Sequence, residues 1–231
     1  MRGVRALCVV LSLAGSALLT GCDTLGYYYQ SVTGHLSLMA QREPIDQAIE
    51  DARTAHNDKL AKRLEDARSI RIYASRELAL PDNGSYRVYA NLKRPFAVWN
   101  VFAAPELSVK LKEWCFLVVG CVTYRGYYDR NAAEAYADTL RAQGLDVDVA
   151  GIPAYSTLGY FDDPLLNTFV GLPEGELARL IFHELAHQVV YAKGDTAFNE
   201  SFATAVETIG VERWLADAAT PEVRAEYATY D

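Results

Sequence analysis

The sequence predicts the α+β class: a helix carrying paired histidines and a second, acid-bearing helix, set against a small mixed or antiparallel sheet. Three observations lead there. Residues 180–191 repeat apolar positions at helical spacing and contain His183-Glu184-Leu185-Ala186-His187. A second apolar, helix-forming run follows (Phe198, Phe202, Ala203, Val206, Ile209), after the short polar break Ala192-Lys193-Gly194-Asp195. Between residues 86 and 161, short β-rich runs alternate with turn signals.

The first run is an H-E-x-x-H motif, and a helix explains its spacing. At about 3.6 residues per turn, positions four apart lie on one face, so His183 and His187 can reach a single metal ion. Two imidazoles do not complete a catalytic zinc site, which takes three protein ligands and keeps a fourth position open. Glu200 is the third candidate, because a tight turn and an antiparallel helix return it towards His187. Glu184 projects beside the ion, where a general base for the attacking water belongs. Two of the chain's four histidines are used here, and the motif lies on a clean helical pattern. Both facts weigh against a chance match.

Asn199-Glu200-Ser201-Phe202-Ala203 resembles the N-E-x-F-A segment of gluzincin zinc aminopeptidases, in which that glutamate binds the metal. The interval between His187 and Glu200 is shorter than in those larger enzymes. The run from Cys115 to Glu207 resembles, more specifically, a bacterial family of envelope lipoproteins named as aminopeptidases. The shared pieces are Cys115 with Gly120-Cys121, Tyr124-Arg125-Gly126-Tyr127, the segment from Ala154 to Pro164, the H-E-L-A-H helix and N-E-S-F-A-T. The resemblance implies a zincin-like metallopeptidase domain holding Zn2+ through His183, His187 and Glu200.

From the N-terminus, residues 1–21 read as a secretory signal: Arg2 and Arg5 precede an apolar run from Ala6 to Leu19 that is short for a permanent span. Leu19-Thr20-Gly21-Cys22 resembles the bacterial lipobox, which makes Cys22 the lipidated first residue of the mature chain. Asp23 is, in some bacteria, a signal for retention at the inner membrane. Residues 22–40, with Tyr27, Tyr28 and Tyr29, are a lipidated tether expected to pack against the domain rather than lie near headgroups, and residues 41–231 are a single domain. The expected location is the cell envelope, facing the periplasm.

Ile45, Ala48, Ile49 and Ala52, then Leu60, Leu64, Ala67 and Ile70, mark two helices with a break and N-cap at Asn57-Asp58. Pro81-Asp82-Asn83-Gly84 is a turn. Tyr86 to Tyr89, Phe96 to Ala103, and parts of Leu111 to Tyr124 are strands. Cys115 and Cys121 are the cysteines left outside the signal region, and an oxidising periplasm favours a disulfide between them. Asn131 to Gln143 is a helix closed by Gly144, and Leu145 to Gly151 a strand. Ala154 to Phe161 is expected as a further strand whose Ser156, Thr157 and Leu158 can pair with an extended substrate. Pro173 and Glu174 start the histidine helix.

The expected activity is hydrolysis of peptides, with Glu184 moving the proton from water to the leaving amine. Tyr155 and Tyr160 are the first candidates for donating to the oxyanion, ahead of Tyr191 and Tyr227. Thr204 and Glu207, one and two turns beyond Glu200, are candidates for orienting the ligands. An aminopeptidase needs a carboxylate for the substrate's free amine, and Asp162, Asp163 and Glu174 are available without spacing that selects one. The partners expected are a peptide substrate and a membrane through the lipid. The net charge of -8 argues against nucleic acid. Two alternatives stand beside this reading: a metal-dependent hydrolase of a non-peptide substrate, and a non-catalytic envelope module.

Overall fold

The computed structural model describes residues 24–116, 120–154 and 156–229. The signal segment, Cys22 and Tyr155 lie outside them. The chain is mixed helix and sheet, as expected. It begins with α1 (residues 24–39), β1 (Arg42–Pro44), α2 (Ile45–Thr54) and α3 (Asp58–Arg76). The strands β2 (Val88–Ala90), β3 (Val98–Pro105), β4 (Trp114–Phe116), β5 (Gly120–Val122) and β6 (Arg125–Tyr127) follow. Next are α4 (Arg130–Arg141), β7 (Leu145–Ile152) and β8 (Leu165–Leu166). The C-terminal part is helical: α5 (Glu174–Ala186), α6 (Thr196–Asp217) and α7 (Pro221–Tyr227).

The α2 and α3 helices break where the N-cap signal stood. The Asn57 side chain accepts the Leu60 backbone N–H at 3.1 Å, satisfying one of the donors that a helix start leaves open. Their apolar faces (Ile45, Ile49, Leu64, Ile70) enter one core with Ile181, Phe182 and Leu185 of α5. Phe182 is fully buried, a burial that contributes about 1.5–3 kcal/mol. The histidine helix is therefore fixed from behind by packing.

The eight-residue β3 is the middle of an antiparallel sheet ordered β6-β3-β7. It pairs with β7 along its whole length, from Val98 opposite Ile152 to Pro105 opposite Leu145. Side chains alternate faces along a strand. Trp99, Val101 and Ala103 accordingly pack with Ala133, Ala137 and Leu140 of α4 in a second core. Val98 and Asn100 face the other way, into a cavity shared with α5. A smaller mixed sheet has the order β1-β2-β8, with β1 antiparallel and β8 parallel to β2. The β4–β5 hairpin places Cys115 opposite Cys121, and the two are joined by a disulfide, as expected from the sequence.

The strand expected over Ala154 to Phe161 does not form. Leu158 and Gly159 take positive φ values of 56° and 80°, which no strand accommodates. The Thr157 N–H, which a strand would give to a neighbour, goes to Asp163 Oδ2 at 2.9 Å. Strand pairing is taken instead by Leu165 and Leu166, four residues beyond the expected end.

A buried arginine connects this scaffold to the end of α5. Arg71, 1 % exposed, donates to the carbonyls of Ser85 at 2.7 Å, Pro81 at 2.7 Å and Asn83 at 3.1 Å. These contacts hold the 81–85 turn and satisfy a charged group that burial would otherwise penalise by several kcal/mol. The turn in turn holds Gln188: Asn83 donates to Gln188 Oε1 at 2.7 Å, and Gln188 Nε2 donates to Ser85 Oγ at 3.2 Å. Gln188 directly follows His187.

Candidate metal centre

Pro173 at the N-cap and Glu174 and Glu176 in the first turn start α5 as the sequence suggests, and His187 is its C-cap. The spacing of four puts both imidazoles on one face, with the two Nε2 atoms 3.1 Å apart. Glu200 comes from α6, whose N-cap Asp195 accepts the Phe198 N–H at 3.0 Å. The turn before it is secured by Asn199, 2 % exposed. Its Oδ1 accepts the Ala192 N–H at 2.7 Å and its Nδ2 donates to the Ala192 carbonyl at 2.9 Å. An apolar residue at position 199 cannot make that pair, which explains the asparagine next to the acid.

Gly210 lets α6 lie close to α5. A Cβ there would stand 2.9 Å from Leu78 Cδ1 and 3.0 Å from Phe182 Cδ2, tighter than carbon contacts allow. With the helices this close, Glu200 Oε2 is 3.3 Å from His183 Nε2, and its Oε1 is 3.7 Å from His187 Nε2. One ligand atom from each of the three residues lies within 4.8 Å of the others, a group able to hold a metal ion.

Two turns further along α6, Glu207 is buried against the same site. Its Oε2 is 2.7 Å from His183 Nδ1 and its Oε1 accepts from Arg179 Nε at 2.9 Å. A carboxylate can only accept, so His183 carries its proton on Nδ1 and presents a bare Nε2 lone pair to the site. His187 Nε2 points to the same place. Two nitrogens 3.1 Å apart and a carboxylate need a shared cation or a proton between them. Burial lowers the His187 pKa, an effect that the neighbouring Glu200 opposes. The ring is thereby biased towards the neutral form that binds metals. Its Nδ1 is buried without a hydrogen-bond partner among the described residues.

Glu184 lines the same cavity. Burial pushes its carboxyl up to about 7, against the lowering influence of His183, and Asp163 adds to the rise. A carboxyl near neutrality can take and return a proton.

The chain matches, over residues 26–231, the model of a family described as "Putative aminopeptidase". It belongs to that family. Neither a curated protein nor a solved structure matches it.

In this member of the family, the group of three able to hold a metal ion opens on a cavity of about 640 Å³. Of the site residues considered from sequence, Ser156, Leu158, His183, Glu184, His187, Tyr191 and Glu200 line it, and Glu207 backs His183. Tyr160 does not reach it: it is 70 % exposed, beyond the turn at Leu158-Gly159. Tyr227 packs over Gly175, at the far end of α5. Thr204 lies exposed in a groove along α6 with Glu200, Ser201 and Thr208, and does not line the cavity.

Sequence reasoning missed Tyr124 and Asn100. Tyr124 lines the cavity, and its hydroxyl is raised first by burial and then by Tyr191, Glu200 and Glu184 around it. Its place in the Tyr124-Arg125-Gly126-Tyr127 segment was the available signal. Asn100 had a weaker one: a carboxamide in the middle of an apolar strand, where a buried polar group asks for a reason.

Proposed function

We propose that the protein is a zinc-dependent peptidase with a zincin-like site, lipid-anchored at Cys22 in the bacterial cell envelope. One observation carries the metal reading. Glu207 accepts the Nδ1–H hydrogen bond of His183, leaving two Nε2 atoms and the Glu200 carboxylate turned towards one point. Two nitrogens and one oxygen, with a position left open, are a donor set suited to catalytic zinc. When bound, zinc supplies Lewis acidity to a carbonyl and to water at neutral pH.

The chain's own residues do the remainder. Glu184 accepts the proton of the attacking water and delivers it to the leaving amine. The cation held beside it would draw its carboxyl down from the raised value, favouring the ionised, proton-accepting form. Tyr124 is the described hydroxyl best surrounded by the reacting groups, and we assign it to the developing oxyanion. Tyr124→Phe is expected to lower kcat about 10²–10³-fold with little change in zinc content. Unchanged turnover in that variant would return the role to Tyr191 or Tyr155.

Helix α1 supports the location. Residues 24–39 contain no Asp, Glu, Lys or Arg, and Leu25, Tyr29, Val32 and Leu36 are all more than half exposed. Their spacings of four, three and four residues place them along one side of the helix. An uncharged helix with an outward apolar stripe, starting two residues after Cys22, suits the surface of a bilayer. Among the described residues no helix is long and apolar enough to cross one, and the attachment in this reading is the lipid on Cys22. Cys22→Ser is expected to move the protein from the membrane fraction to the soluble fraction. Full retention on the membrane would rule out the lipid as the anchor.

The peptidase reading is tested by incubating zinc-loaded protein with a panel of peptides and following hydrolysis. Absence of cleavage across free and blocked peptides of varied sequence would overturn it.

A further inference from the structure

The wall opposite the histidines is apolar. Val98, Phe116, Val122, Tyr128 and Ile152 line it, and α1 adds Tyr27 and Tyr28. At about 640 Å³ the cavity has the size of a ligand site. It has room for a large side chain together with the peptide around it.

Its charges are limited. Among the described lining residues the carboxylates are Glu184 and Glu200, both already assigned. A free α-ammonium drawn from water into such a site needs a carboxylate of its own, or it costs several kcal/mol. None of the three acids that the sequence offered for this purpose lines the cavity. Asp163 is 2 % exposed, its Oδ2 accepting from the Thr157 N–H, and burial pushes its carboxyl up to about 6. Asp162 packs over Gly84. Glu174 sits at the start of α5, with Asp66, Lys62 and Arg63 as its neighbours.

Among the strand residues that line the cavity, Asn100 is the polar exception. It is 8 % exposed on the middle strand, its Oδ1 lies beside the bare Cα of Gly126, and its side chain has no hydrogen bond among the described residues. A carboxamide offers both a donor and an acceptor, matching the two groups of a peptide bond.

We propose that this cavity takes a bulky apolar side chain flanking the bond to be cut, with Asn100 hydrogen-bonded to the substrate's peptide group. The preferred substrates are then internal or N-acylated peptide bonds, with no requirement for a free amino terminus. The inference rests on the peptidase reading for its chemistry, and on the cavity alone for its specificity.

The test uses the full-length protein in detergent, loaded with zinc, and fluorogenic peptides in matched pairs. One pair carries Phe or Gly beside the scissile bond, and the other carries a free or an acetylated N-terminus. Phe is expected to exceed Gly at least tenfold in kcat/KM, the consequence of burying one large apolar side chain. Acetylation is expected to change kcat/KM less than about threefold, since no charge is recognised. Asn100→Leu is expected to raise KM about tenfold at nearly constant kcat, the mark of a lost ground-state contact. A tenfold or greater loss on acetylation, or equal rates for Phe and Gly, would overturn the assignment. A binding arm with zinc-loaded Glu184→Gln separates the two readings. If nothing is cleaved but that variant binds the Phe peptide tenfold more tightly than the Gly peptide, the cavity assignment survives and the peptidase reading falls. Equal binding there would remove both.

Discussion

Glu184→Gln is expected to lower kcat for peptide hydrolysis by about 10²–10⁴-fold, the range for loss of a positioned general base. Zinc content should stay at the wild-type level. The amide has almost the volume of the acid and can keep its place in the cavity wall, but it has no basic site to take a proton from water. Glu184 does not belong to the group of three that meets within 4.8 Å. KM should move little, because the lost interaction is made only as the bond breaks. Metal analysis together with steady-state kinetics on the purified variant checks both halves. Turnover within threefold of wild type would mean that another group moves the proton. Tyr191, which also lines the cavity, would be the first to examine.

Removing a ligand should act on the metal itself. Glu200→Ala leaves two imidazoles and should lose zinc on dialysis, together with the thermal stabilisation that zinc confers. A ligand present at a hundred times its Kd adds about 2.7 kcal/mol. For a chain of this size that corresponds to a Tm increase of roughly 5–10 °C. Wild type should show this rise on adding zinc, and Glu200→Ala should not. Glu207→Gln is expected to fall between them, with zinc affinity weakened about 10–100-fold. The glutamate accepts from both His183 and Arg179, whereas an amide has one oxygen to serve the two. If its NH₂ group turns to His183, it favours the tautomer with a proton on Nε2, the atom that faces the site. Equal zinc responses in all three proteins would show that the group of three does not bind the ion.

Much of the site was legible because its parts are local. The two histidines are one helical turn apart, so a period read from the sequence predicts that they share a face. Glu200 and Glu207 lie two turns apart on the next helix, and the short Ala192-Asp195 break left that helix little choice but to return along α5. The Asn57 cap and the Cys115–Cys121 bridge were equally near in sequence to the groups they serve.

The misses are a local turn and a set of long-range contacts. A strand was expected over residues 154–161, but the Asp163 carboxylate captures the Thr157 N–H, and Leu158 and Gly159 turn the chain. That turn leaves Tyr160 in solvent, and the donor we propose, Tyr124, stands some sixty residues upstream of the motif. Asn100 carried only a weak local signal and the α1 tyrosines none, because the cavity they line is made by two sheets and by α1, α5 and α6, which are far apart in the chain.

By itself, then, the sequence determined that His183 and His187 share one face of a helix, since residues four apart on an α-helix meet whatever surrounds them. Tertiary structure alone decided which tautomer His183 adopts, which tyrosine stands near the reacting groups, and how apolar the cavity is. Those properties depend on side chains that approach only when α6 packs at Gly210 and β3 turns Val98 and Asn100 towards α5. Close packing between distant segments sets local charge and solvation, and a one-dimensional pattern holds no record of it.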